Sequence, residues 1–155
     1  MTEEEDFVHA VGECTLAWAT IEYEVAQVFC LALRGDSDAA AAAFDAVIAF
    51  NGKLGLASAA VENSTFDPPI KKKWTKLHEK IKTAHSLRNR LAHGGYLLDD
   101  SFDPPKPVLV AYDSLSRIRM GESQKLNRSD VRNVYDALQN TREEIHAVVD
   151  LMERG

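Results

Sequence analysis

Between Ser86 and Gly95 the chain reads Ser-Leu-Arg-Asn-Arg-Leu-Ala-His-Gly-Gly, which sets an arginine, an asparagine and a histidine at the end of a long helical pattern. The Gly94-Gly95 pair serves to stop a helix, but nothing about stopping a helix asks for Arg88, Asn89 or His93. Arg88 brings a planar fork of donors that stays charged at any physiological pH and matches a phosphate. An imidazole, whose ordinary pKa is about 6.5, can take and return a proton. A phosphate clamp beside an acid/base group is enough to cleave RNA without a metal. The 2′-hydroxyl is the nucleophile, and it needs only deprotonation, charge stabilisation in flight and a protonated leaving group.

These groups must be positioned by the helix they end. Ile70, Trp74, Leu77, Ile81, Ala84, Leu87 and Leu91 recur at helical spacing from about Pro69 onward. Between them lie Lys71, Lys72, Lys73, Lys76, Lys80 and Lys82, and with Arg88 and Arg90 these cations face a single acid, Glu79. Such a strip either steers a phosphate backbone toward the helix end or is a solvated lysine face. On the first reading Arg90, Lys73, Lys76 and Lys80 contact the substrate, and His85, eight residues before His93, adds a further contact. Asn89 and His93 are four apart and share a side of the helix. Arg88 and His93 are five apart, about 140° around an ideal helix and ~7.5 Å along it. Their convergence needs a loosened last turn, a long reach by Arg88, or a second copy of the helix.

Arg88-Asn89-x-x-x-His93 resembles the R-(polar)-x-x-x-H signature of the HEPN superfamily, small all-helical domains many of whose members are metal-independent ribonucleases that act as dimers. The order of elements is similar as well: a long first helix with Trp18 and Glu22, a middle helical region, the motif helix and a closing C-terminal helix. The likeness covers the architecture of most of the chain, and its specific part is one hexapeptide. It implies a homodimer with two motif helices facing each other across the site. It also implies cleavage of single-stranded RNA to 2′,3′-cyclic phosphate ends, with no metal or cofactor. Arg88 would orient the phosphate, His93 would serve as base or acid, and Asn89 would orient the imidazole or phosphate. Bacterial domains of this kind resemble toxins or parts of anti-phage defence, which makes an antitoxin or other regulatory protein a candidate partner. The alternative is a non-catalytic dimeric scaffold or binding module for a nucleotide or protein, with Arg88 paired to Glu22 and His93 capping helix carbonyls.

Composition bounds these readings. With 155 residues, 45% hydrophobic and 27% charged, the chain is expected to form one soluble domain over residues 1–155. No unbroken apolar run approaches the ~20 residues of a membrane span, and the start, Met-Thr-Glu-Glu-Glu-Asp, is acidic where a secretory leader would be basic. A cytoplasmic protein with no membrane association is expected. The net charge of −6 opposes RNA binding except on a locally basic face. Cys14 and Cys30 share one predicted helix, roughly 24 Å apart, too far for a disulfide within the chain.

The predicted fold is mainly α, an antiparallel bundle of four to five helices with a small β-hairpin insertion around residues 96–122. Phe7, Val11, Cys14, Trp18, Ile21, Val25, Val28 and Ala32 mark a first helix from about Glu4 to Leu33. Glu22 borders its buried stripe, where it either pairs with Arg88 or sits as an exposed edge, while Glu24 is expected to be solvated. Ser37 and Asp38 are candidate caps for a helix from Ala39 to Phe50, and a third runs from Lys53 to Glu62. Pro107 to Tyr112 and Ser116 to Met120 read as strands, with Arg117 and Arg119 on one face. Asp99, Asp100 and Asp103 either hold a hard cation or form a plain solvated turn. A cap within Leu126-Asn127-Arg128-Ser129-Asp130 begins a last helix built on Val131, Val134, Leu138, Ile145, Val148, Val149 and Met152. No phosphate-binding glycine loop, Gly-x-Ser-x-Gly elbow or zinc-ligand histidine spacing is present, and His9, His78 and His146 read as ordinary surface or core-edge residues.

Overall fold

The computed structural model describes residues 1–111 and 124–154. The helices are α1 (Glu3–Leu33), α2 (Ser37–Asp45), α3 (Phe50–Asn63), α4 (Pro68–Ala92) and α5 (Arg128–Arg154). Between α4 and α5 lie β1 (Gly95–Asp99), β2 (Lys106–Ala111) and β3 (Gln124–Leu126), an antiparallel sheet in that order. The protein is therefore mainly helical with a small β insertion, as its periodicity predicts. The insertion runs slightly past the predicted end, because Leu109 pairs with Leu126 and Ala111 with Gln124. Ser116 to Met120, with Arg117 and Arg119, lie outside the described residues.

The chain divides into two compact units. One is Met1–Trp18 with Ala84–Leu138, and the other is Ala19–Thr83 with Gln139–Gly155. The first holds the Arg88 motif, the sheet and the opening turns of α1 and α5. Its buried side chains include Phe7, Cys14, Leu91, Val108, Leu126, Val131 and Leu138. Arg128, the first residue of α5, donates from Nε to Asp6 Oδ2 at 2.7 Å and so ties the start of α5 to that of α1. Asn127 caps α5 by accepting the backbone N–H groups of Ser129 and Asp130, and its own N–H goes to Asp130 Oδ2 at 2.9 Å.

The ends of α4 and α1 are made in different ways. Gly94 ends α4 through space rather than handedness: it has no left-handed φ, but a Cβ there would lie 3.2 Å from the Arg90 carbonyl oxygen and 3.3 Å from Leu109 Cδ2. After α1, the left-handed residue is Arg34, with φ 49°, and not Gly35. The Arg34 guanidinium carbon lies 5.3 Å from the centroid of the Phe66 ring, a cation–π contact that accompanies this unusual backbone.

In the second unit Ile21, Val25, Val28, Phe44, Leu54, Val61, Trp74, Ile81, Ile145 and Met152 are buried. α2 starts earlier and ends sooner than predicted. Asp36 supplies the cap, accepting from the N–H groups of Asp38 and Ala39, and Phe50 opens α3 instead of closing α2. Glu24 is buried rather than solvated. Among the described residues its Oε2 has no hydrogen-bond partner, His146 Nδ1 lies 3.8 Å from its Oε1, and burial raises its pKa.

α1 is also long and apolar enough to cross a membrane by length and composition, with an 18-residue stretch of mean hydropathy 1.3. Scattered polar residues keep it from reading as one unbroken apolar run, and 44% of the residues in that stretch are buried within the fold.

Candidate functional site

The last turns of α4 gather three of the predicted side chains into one chain of contacts. Arg88 Nη1 donates to Asn89 Oδ1 at 3.0 Å, and Asn89 Nδ2 lies 3.2 Å from His85 Nε2. Because a guanidinium only donates, the amide oxygen faces Arg88 and the amide NH2 faces the ring, which makes His85 Nε2 the acceptor and leaves its proton on Nδ1. The His85 ring lies against Trp18, with centroids 5.3 Å apart and planes 30° from parallel. The Arg88 guanidinium carbon is 6.0 Å from the centroid of the same indole. Trp18 is buried, while His85, Arg88 and Asn89 are half-buried. The indole is thus a platform carrying a cation and an imidazole, each with one side toward solvent.

His93 stands apart from this chain. Its backbone N–H donates to the Asn89 carbonyl at 3.0 Å, continuing the regular α-helical pattern, and its side chain is exposed. The next bond, from Gly94 N to the Leu91 carbonyl at 3.2 Å, is one residue shorter, so the helix end tightens instead of loosening. No hydrogen bond joins His93 to Arg88 among the described residues, and one of the three expected routes to their convergence, a slackened last turn, is not taken. His85, rather than His93, is the imidazole in contact with Asn89. The spacing signal for it was available: His85 lies three residues before Arg88 and four before Asn89, the two separations that meet on a helix. Trp18 could be placed on the buried stripe of α1 by periodicity, but its contact with Arg88 comes from tertiary structure.

The remaining cations of α4 are less uniform than a charge strip implies. Arg90 Nη2 bonds to Gln124 Oε1 and so anchors the helix end to β3. Lys80 Nζ holds both carboxylate oxygens of Glu144, at 2.6 and 2.8 Å. Lys82 lies 3.4 Å from Glu79, and Lys71 caps the end of α3 by donating to the Glu62 and Ser64 carbonyls. Lys73 and Lys76 are exposed and have no ion pair among the described residues; with Leu77, Ala147, Val148 and Leu151 they edge a groove of about 310 Å³. Glu22 is half-buried in the second unit, whereas Arg88 belongs to the first.

Of the three aspartates, Asp100 and Asp103 are exposed, as a solvated turn requires, but Asp99, the last residue of β1, is not. Asp99 is buried, accepts from the Ser101 N–H and Oγ–H, and receives Lys125 Nζ at 2.8 Å, which together hold its pKa down at about 2. Among the described residues no group of three or more His, Cys, Asp or Glu side chains is gathered to hold a metal ion. Compared with known proteins, the chain matches no family model, no curated protein and no solved structure.

Proposed function

We propose that this protein is a metal-independent endoribonuclease that cleaves single-stranded RNA at the Arg88 end of α4. The observation that carries the reading is a half-exposed guanidinium braced by Asn89 and laid over Trp18, five residues before an exposed imidazole just past the end of the same helix. One N–H of Arg88 meets Asn89, which leaves donors for a phosphate and for the charge that builds on it in the transition state. His93 takes the 2′-hydroxyl proton as the 2′-oxygen attacks phosphorus. The bond to the 5′-oxygen breaks, and that oxygen leaves with a proton supplied by a second imidazole. The products are a 2′,3′-cyclic phosphate and a 5′-hydroxyl. In a homodimer the second imidazole is His93 of the other copy. Lys73 and Lys76, both exposed, steer the RNA, and an antitoxin-like protein in the cytoplasm restrains the activity.

A second reading has its own support. Arg88, Asn89, His85 and Trp18 satisfy one another, as members of a purely structural polar cluster also do. On that reading the fold is a non-catalytic dimeric module for a nucleotide or protein partner. Purified protein incubated with single-stranded RNA in excess chelator distinguishes the two. Cleavage lost in both His93→Ala and Arg88→Ala supports the enzyme. Cleavage equal in all three proteins marks a contaminant and favours the binding module.

A further inference from the structure

A second histidine of α4 sits in a different kind of arrangement, one that does not depend on the ribonuclease reading. Trp74, 2% exposed, points its indole N–H at Ser58 Oγ, 3.0 Å away. The same oxygen lies 2.7 Å from His78 Nδ1. On the far side of the ring, His78 Nε2 lies 3.9 Å from Glu79 Oε1. Ser58, His78 and Trp74 line a cavity of about 400 Å³ together with Val61, Lys71 and Glu79, a volume in the range of small-molecule sites, ~300–1,000 Å³. All of these residues belong to the second unit.

The directions of the hydrogen bonds follow from the groups. An indole nitrogen only donates, so Ser58 Oγ accepts from Trp74. A carboxylate beside Nε2 favours the tautomer protonated there, which leaves Nδ1 as a bare acceptor for the serine proton. The hydroxyl is therefore placed with a base on its hydrogen and a donor aimed at its oxygen. The base removes the proton as the oxygen becomes nucleophilic, and the indole N–H steadies the charge that appears there. A serine whose only task was to satisfy Trp74 would need no imidazole behind it.

We propose that Ser58 is a base-activated nucleophile that takes an acyl group from small activated esters entering this cavity. In the first step the Ser58 proton passes to His78 Nδ1 while Oγ bonds to the ester carbonyl carbon. The bond to the leaving oxygen breaks, and that oxygen departs with the proton from His78. In the second step water gives a proton to Nδ1 and its oxygen attacks the acyl-serine. The acid is released and Ser58 Oγ recovers the proton. Val61 and the Trp74 ring supply an apolar wall for the acyl chain. Esters with good leaving groups are the substrate class, since their expulsion asks least of the site in stabilising the carbonyl oxygen.

The test is incubation of the full-length protein with p-nitrophenyl acetate, following nitrophenol release and mapping the acetyl group by peptide mass. The expected result is an acetyl group on Ser58 and a release rate lower by about 10²-fold in both Ser58→Ala and His78→Gln. Circular dichroism checks that each variant is folded. Ser58→Cys keeps a nucleophile in place and should be acetylated at the new thiol. Acetyl groups found only on lysines, equal release by wild type and folded Ser58→Ala, or a folded Ser58→Cys that stays unmodified would each overturn the proposal. RNA cleavage measured on the same Ser58→Ala protein keeps the two readings separable, because the residues assigned to RNA lie elsewhere on α4.

Discussion

Trp18 and Trp74 each organise a histidine of α4, and they do so with different parts of the indole. Trp18 offers its face: His85 lies along it and Arg88 sits over it, while His85 Nε2 meets Asn89 Nδ2 at 3.2 Å. Trp74 offers its edge, and its N–H reaches His78 only through the Ser58 hydroxyl. The face arrangement gathers a cation, an amide and an imidazole, which suits an anionic substrate. The edge arrangement gathers a hydroxyl and a base beside Lys71, whose ammonium is taken up by the Glu62 and Ser64 carbonyls, which suits a neutral one. One helix thus carries two kinds of polar chemistry, each set by which side of a tryptophan it meets.

The largest effects should separate the imidazoles. If the face site cleaves RNA, His93→Ala lowers the rate by about 10² to 10⁴, as loss of a positioned acid/base group does. His85→Ala, which removes a support of Asn89 and not the proton carrier, lowers it by about tenfold, judged as a lost positioning contact. Single-turnover cleavage of a labelled oligonucleotide measures both, and the reverse order would make His85 the proton carrier and redraw the comparison. Next in size is thiol reactivity, which compares the two units directly. Burial raises the Cys14 pKa to about 11, and its Sγ donates to the Val131 carbonyl at 3.6 Å. At pH 8 about one molecule in a thousand carries that thiolate. Cys30, half-buried and shifted upward mainly by burial, should react first with an aromatic disulfide reagent, and Cys14 only on unfolding.

Stability tests come third. Ser58→Ala strands the buried Trp74 N–H and should cost about 1–3 kcal/mol, whereas Asn89→Ala, whose half-exposed partners can turn to water, should cost about 1 kcal/mol. Urea unfolding measures the difference, and equal losses would mean that the edge site is as accessible to water as the face site. The smallest effect belongs to the turn after β1. Asp99 has a folded pKa below its ordinary value, so its contribution is present above about pH 4 and lost as pH falls toward about 2. Asp99→Asn should abolish that part of the acid transition seen by circular dichroism.

How much of this could be read from the residues depends on sequence distance. Period-3.6 apolar spacing places α1, α4 and α5, an alanine run behind a cap places α2 approximately, and the β-branched run from Pro107 places the insertion, because these patterns are local. Arg88, Asn89 and His93 are legible as a group since they lie within six residues of one another at the end of α4. Their geometry is only partly legible: the spacing makes His85 a minor candidate, whereas His85 is the imidazole that meets Asn89. Ser58 and His78 meet across twenty positions of chain, and no spacing rule brings a residue of α3 to one of α4. Asp36 was passed over as a cap in favour of Ser37 and Asp38, all three being good cap residues in a row, where only backbone geometry decides. Glu24 was assigned to water because helix phase alone cannot tell a stripe's edge from its centre.

That last carboxyl gives α1 an unusual preference. While it carries its proton, Glu24 is a neutral group that a dry environment tolerates; once ionised, it is an anion with one oxygen facing no donor. A raised folded pKa means that Glu24 favours the folded state in mildly acidic solution and ceases to do so as alkalinity grows, the reverse of Asp99. Acid thus weakens the contribution of Asp99 at the end of β1, whereas alkali weakens that of Glu24 in α1.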